Sequence, residues 1–277
     1  MAALGAETER RRAIARRVVD HLAAHTKLRA SMLAGSAALG TCDEHSDIDL
    51  LNYYEEPPSP AAFDELMRSL GAEPMGEISP PKPEGFGGRF RLAGVEVQTG
   101  GELIGATVKR LERIAAGDVD WITAKVAAGI LEGLPMHGET LVRELKARAA
   151  YPEALRRQEV EANLGIFPIW AQNDHLAARD AELFRRQMLL EGAFRVAAIL
   201  SALNRLYFST FQFKRARAHV ERMTIRPEHL AESLDLIANG APSAAAAELK
   251  RLFQETKVIV RAEMPDVDAE RPWQPQG

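Results

Sequence analysis

The chain has 277 residues, 46% of them apolar and 27% charged, the balance of a soluble globular protein with room for two domains. Its formal net charge of −4 argues against a protein that blankets nucleic acid, which needs an excess of Lys and Arg over a surface. Cys42 is the single cysteine, which excludes an intrachain disulfide and a thiolate metal cluster and suits a reducing cytoplasm.

The first element in chain order is basic. Arg10, Arg11, Arg12, Arg16 and Arg17 accompany Ile14, Val18 and Leu22 at helical spacing, which predicts an amphipathic helix covering the first domain. The apolar run is too interrupted for a secretory signal, and no membrane span is visible, so a cytoplasmic location is expected. Next, Met32–Leu50 joins an apolar run to the turn Gly35-Ser36, then to Asp47 and Asp49 within a second apolar run that continues Leu50-Leu51. In an extended strand residues i and i+2 share a face and stand roughly 7 Å apart. Two carboxylates so placed can share or straddle divalent ions about 3.5–4 Å apart. The plainer reading of an isolated Asp-x-Asp is a solvated turn, but the apolar neighbours and the upstream Gly-Ser make the composite a phosphate cradle beside a metal site.

Ser59-Pro60 supplies an N-cap and a first-turn proline ahead of Phe63, Leu66, Met67 and Leu70, with Gly71 as the stop, predicting a helix. Ser79–Gly88, with three prolines and three glycines, reads as an irregular loop. Gly88–Thr99 alternates as one strand, with Glu96 between two valines. Helical spacing follows at Leu103, Val108, Leu111 and Ile114, and again from Trp121 to Leu131. Gly133–Gly138 reads as a turn before another helix from about Glu139. From Tyr151-Pro152 the pattern is helical throughout, in segments near 153–165, 167–208, 212–222, 227–238 and 243–263, and the tail Pro272–Gly277 reads as frayed. The switch predicts an α+β domain over 1–148 and a helical bundle over 149–277.

Gly35, Ser36, Gly40, Ser46, Asp47, Asp49 and Leu50 resemble the signature of the polymerase-beta-type nucleotidyltransferase superfamily: Gly-Ser, a spacer with a second Gly, then Asp-x-Asp. The close resemblance covers about twenty residues. It implies a small mixed sheet flanked by helices and a third carboxylate from a later strand, for which Glu96 is the candidate, although that family more often shows Asp there. A bundle after the catalytic domain resembles the aminoglycoside and lincosamide nucleotidyltransferases of antibiotic resistance.

The resemblance implies a magnesium-dependent transfer of AMP from ATP to a hydroxyl of a small molecule, releasing pyrophosphate. Asp47, Asp49 and Glu96 would hold two Mg²⁺ ions, and Gly35 and Ser36 would cradle the β- and γ-phosphates. Lys214 would reach the triphosphate from the bundle, and Asp180, Glu182 or Glu191 would serve as base toward the acceptor, bound in a cleft between the halves. His45 adjoins the signature and reads as an exposed loop residue. No membrane or nucleic-acid partner is expected, and the chain is expected to be a monomer or homodimer. Two other readings share the signature: transfer of AMP to a protein, as in antitoxin relatives, and nucleotide sensing without turnover.

Overall fold

The computed structural model describes residues 5–79, 85–209, 215–270 and 272–273. The chain forms two compact units, Met1–Ala115 with Val126–Ala150 and Ala116–Lys125 with Tyr151–Gly277. The first is α+β. Its six-stranded mixed sheet has the order β3-β4-β5-β2-β1-β6, from β1 (Ala30–Ala34), β2 (Ile48–Tyr54), β3 (Glu73–Pro74), β4 (Gly85–Leu92), β5 (Val95–Leu103) and β6 (Leu134–His137). Among the described residues only the β2–β5 pairing is parallel, with Ile48 opposite Val97 and Asp49 opposite Gln98.

Alternation along β2 and β5 separates a core face from a polar one. Ile48, Leu50 and Tyr54 join Val95 and Val97 in a core with Ile14, Val18 and Leu22 of helix α1 (Ala6–His25) and Phe63 and Met67 of α3 (Pro60–Ser69). The expected N-cap of α3 is present: Ser59 Oγ accepts from the Ala62 amide at 3.2 Å, and Gly71 closes the helix end at φ +86°. On the core side a buried polar bridge crosses three strands. Ser31 Oγ donates to Asn52 Oδ1 at 2.8 Å, and Asn52 Nδ2 donates to Thr99 Oγ1 at 2.7 Å and to the Gly100 carbonyl at 3.0 Å. Because every member is satisfied, the bridge fixes the register of β1, β2 and β5 at little cost.

Three expectations for this unit are corrected. Gly85–Gly88 is not loop but the start of β4, paired with β5 so that Gly87 faces Gly100 and Phe86 faces Gly101. A Cβ on Gly85, which the sequence reads as loop, would fall 2.1 Å from the Gly101 carbonyl, and one on Gly100 would fall 2.0 Å from the Phe86 carbonyl, so these two glycines are what let the strands close. The predicted single strand over 88–99 is a hairpin, because Ala93 (φ +51°) and Gly94 (φ +77°) turn the chain between β4 and β5. Leu134–His137 is also a strand. It runs along β1 at the sheet edge, the place where Pro135 is tolerated in a ladder.

In chain order the helices α4 (Ile104–Ala115), α5 (Trp121–Glu132) and α6 (Glu139–Arg148) come next, and the second unit is helical, with α7 (Glu153–Asn163), α8 (Ile169–Ala177), α9 (Glu182–Leu203), α10 (Ala216–Glu221), α11 (Leu230–Asn239) and α12 (Pro242–Glu263). Val196–Leu203 of α9 is buried on every side, packed among α7, α8, α11 and α12. A Cβ on Gly192 would fall 2.5 Å from Leu249 Cδ2, which shows how closely α9 approaches α12. The expected single helix over 167–208 is two helices. The chain turns at Ala178–Ala181, and the turn is tied by Arg185, whose Nε and Nη2 donate to Asn173 Oδ1 at 3.2 and 2.9 Å. The reversal brings Ile169 and Leu189 into one core, a tertiary gain that helical periodicity does not encode. Of the expected frayed tail, residues 274–277 lie outside the described residues, and the exposed Trp273 ring meets Phe167 edge-on at 5.2 Å. Among the described residues no helix is long and apolar enough to cross a membrane.

Candidate active site

The signature residues occupy the end of β1, the loop after it and the start of β2. Gly35 leaves β1 at φ +64° and opens the short helix α2 (Gly35–Leu39), which Gly40 closes at φ +78°. Both values lie where only glycine sits without strain. A Cβ on Gly35 would fall 2.5 Å from Asp49 Oδ2, so the missing side chain is the space into which that carboxylate projects. Ser36 Oγ lies 3.5 Å from Cys42 Sγ in the first turn of α2. Ser46 folds onto its own loop, its Oγ donating to Asp43 Oδ1 at 2.7 Å and accepting from the Asp43 amide at 3.0 Å.

Asp49 and Gln98 are opposite one another in the parallel ladder, and the same register carried back one residue sets Asp47 opposite Glu96. Asp49, Gln98 and Glu96 belong to the sheet face turned away from Ile48 and Val97, and Asp47, the residue before β2, is bonded to that face by Gln98. Gln98 Nε2 donates to Asp47 Oδ2 at 2.8 Å and lies 3.3 Å from Glu96 Oε1. Arg89 of β4, opposite Gln98, places Nη1 3.7 Å from the same Glu96 oxygen. Beside Asp49 and Gln98 a cleft of about 510 Å³ runs over Gly87 and Gly100 toward Glu102, walled by Met75, Gly76, Glu77 and Ser79.

Two arginines of α1 hold the loop in place. Arg11 is only 2% exposed and donates from Nε to the Ser46 carbonyl at 2.6 Å and from Nη2 to the Glu44 carbonyl at 3.1 Å. Arg12 donates to the Ala37 and Ala38 carbonyls of α2, both at 2.8 Å. Carbonyls at the end of a short helix and in a loop lack ladder partners, and guanidinium groups supply them.

The structure therefore brings Gly35, Asp47, Asp49 and Glu96 to one region of the first unit, with Ser36 in the same turn. Lys214 lies outside the described residues. His45 is exposed, as its loop position suggested. In the second unit Asp180 is exposed on the turn before α9, Glu182 pairs with Arg185 and Arg186, and Glu191 pairs with Arg195. Those ion pairs account for both glutamates as helix-surface residues. The residues passed over were Gln98, Arg89, Arg11 and Arg12. Gln98 carried a signal, since it alternates with Glu96 and so shares its face.

No protein-family model matches the chain, and no curated protein does. Among solved structures it is similar to a nucleotidyltransferase-like protein from Exiguobacterium sibiricum 255-15, at a TM-score of 0.37 and 13% identity over 92% of this chain and 79% of that one. So loose a likeness transfers no residue role and no activity.

The donor set itself bears on a metal. Asp47, Asp49 and Glu96 offer only hard carboxylate oxygens, the chemistry that suits a small divalent cation such as magnesium. The vacant side-chain position at Gly35 leaves the space that Asp49 Oδ2 fills on the sheet face. Among the described residues no three His, Cys, Asp or Glu side chains converge as a ready-made cluster, and Gln98 stands between two of the three carboxylates.

Proposed function

We propose that the chain is a nucleotidyltransferase that moves AMP from ATP to a hydroxyl of a small molecule and releases pyrophosphate. One observation carries the reading: Gly35 at positive φ is packed against Asp49, on the sheet face that Asp47 and Glu96 share. That combination is costly for a merely structural turn, because it confines charge and strains every residue but glycine.

In this reading Asp47, Asp49 and Glu96 hold two magnesium ions, which when bound neutralise charge on the triphosphate and lower the pKa of the attacking hydroxyl. Gly35 lets the backbone approach the β- and γ-phosphates, and Ser36 donates its hydroxyl to them. Arg11 and Arg12 fix the loop so that these donors are aimed before substrate arrives, which is how preorganised groups lower a barrier. The cleft beside Asp49 offers space for an organic portion of a substrate, with Gly87 and Gly100 as an unobstructed floor. An aminoglycoside- or lincosamide-like alcohol is the acceptor class proposed, on the strength of the two-part layout.

A second reading, nucleotide binding without turnover, is favoured by one feature, the Gln98 amide between Asp47 and Glu96. Substitution separates the two. Asp47→Ala and Asp49→Ala should each lower transfer by at least about 10²-fold without unfolding the chain, because each removes charge neutralisation worth several kcal/mol at the reacting phosphate. Glu96→Ala should be comparably damaging, and Glu96→Asp should retain turnover. An Asp49→Ala protein with full transfer activity would end the proposal. ATP binding with no transfer by the wild-type chain would establish the second reading.

A further inference from the structure

This inference rests on reading Asp47, Asp49 and Glu96 as ion-binding carboxylates, and it concerns the side chain between two of them. Gln98 is held in register on both sides, opposite Asp49 in the parallel ladder and opposite Arg89 in the antiparallel one, so its reach toward Asp47 and Glu96 is set by the backbone. Its Nε2 is 2.8 Å from Asp47 Oδ2 and 3.3 Å from Glu96 Oε1. A carboxamide nitrogen carries two hydrogens, one for each carboxylate. Turned the other way, Gln98 would set its own oxygen against two carboxylate oxygens, acceptor facing acceptors, so the neighbours dictate which end points inward.

We propose that Gln98 is a built-in stand-in for the divalent ion: it holds Asp47 and Glu96 together while no ion is bound and yields when one arrives. Two carboxylates on one sheet face repel, and hydrogen-bond donors between them offset that repulsion in the ion-free fold. Arg89, 3.7 Å from Glu96, offsets part of it. A lysine at position 98 would pair with the carboxylates through a full charge and compete with any arriving ion. A neutral amide makes bonds of modest net strength, which a doubly charged ion can displace. Ion binding must then break both amide bonds, and removing the amide must tighten it.

The test uses the full chain and Mn²⁺ alone, without nucleotide. Binding is followed by the loss of the free-ion electron paramagnetic resonance signal, and stability by thermal unfolding with and without the ion. Gln98→Leu keeps the bulk and removes the donors, and Gln98→Asn keeps an amide too short to span the pair. Both variants should melt lower than wild type without ion, bind Mn²⁺ roughly 2- to 10-fold tighter for each bond lost, and recover wild-type melting at saturating Mn²⁺. Should Gln98→Leu fail to fold, Gln98→Asn carries the test alone. Wild-type binding with unchanged affinity in the variants would overturn the stand-in role and leave the carboxylate reading intact. Weaker binding in the variants would also overturn it, by making Gln98 a ligand. No Mn²⁺ binding by wild type, matching an Asp49→Asn control, would overturn both.

Discussion

Replacing Gly35 with alanine tests the tightest contact in the site. The glycine sits at φ +64°, and left-handed backbone costs an L residue about 1–2 kcal/mol. The new Cβ would also fall 2.5 Å from Asp49 Oδ2, 3.6 Å from Cγ and 4.0 Å from Cβ. Only the carboxylate end is overlapped, so it must retreat by about 1 Å to reach ordinary contact. The backbone cost alone should lower the melting temperature of the first unit by roughly 3–8 °C. A protein stable by several kcal/mol stays folded at 25 °C despite that loss. On the proposed reading transfer activity should nevertheless fall by about 10²-fold, because the displaced group is the one that reading puts at the reacting phosphate.

Calorimetry and initial rates of pyrophosphate release measure the two effects separately. A double-mutant cycle then isolates the overlap. In an Asp49→Ala background the alanine at 35 meets nothing closer than the 4.0 Å contact with the Cβ at position 49, so Gly35→Ala should there cost only the backbone term. Equal costs in both backgrounds, or wild-type melting and activity for Gly35→Ala alone, would refute the account of this contact.

A Cβ on Gly87 would meet nothing within 4 Å and the residue lines the cleft, so Gly87→Leu should leave the chain folded while raising KM for a substrate at least several-fold. An unaltered KM for both substrates would remove the cleft from the site. In the helical unit, burial, and secondarily the charge of Arg222, lower His219 from 6.5 to about 4. The unfolded chain takes up a proton between those values that the fold does not. The stability tied to this residue is therefore whole above pH 6.5 and is lost as pH falls toward 4, about 3 kcal/mol in all. Thermal unfolding of His219→Asn across that range should show a correspondingly flatter decline than wild type, and an identical slope would contradict the burial argument.

The elements that proved legible in the sequence were those whose signal is local. Ser59-Pro60 marks a helix start with its own side chains, and Ile14, Val18 and Leu22 repeat at the helical period, so α3 and α1 needed no tertiary knowledge. The elements misread depend on partners far away in the chain. Gly85–Gly88 is a strand because Gly100 and Gly101 meet it, and the same glycines without that partner are indistinguishable from a loop. Leu134–His137 is a strand because β1 has a free edge, and the break before α9 is fixed by Asn173 and Arg185 meeting across the turn. That Gly35, Asp47 and Asp49 lie together was readable because their spacing is short. Arg11 was not, since a buried guanidinium looks in sequence like one more charge on a basic helix, and only the 35-residue reach to Ser46 gives it its purpose.

The central claim, nucleotidyl transfer to a small-molecule hydroxyl, is tested most directly by following ATP labelled at the α-phosphate. The purified chain would be incubated with magnesium, cell extract and a panel of aminoglycosides and lincosamides, beside an Asp49→Ala control. The account predicts label on a small molecule, identified by a mass increase of one AMP, with none from the control. Label on a protein band, or ATP bound with no label moved, would contradict it.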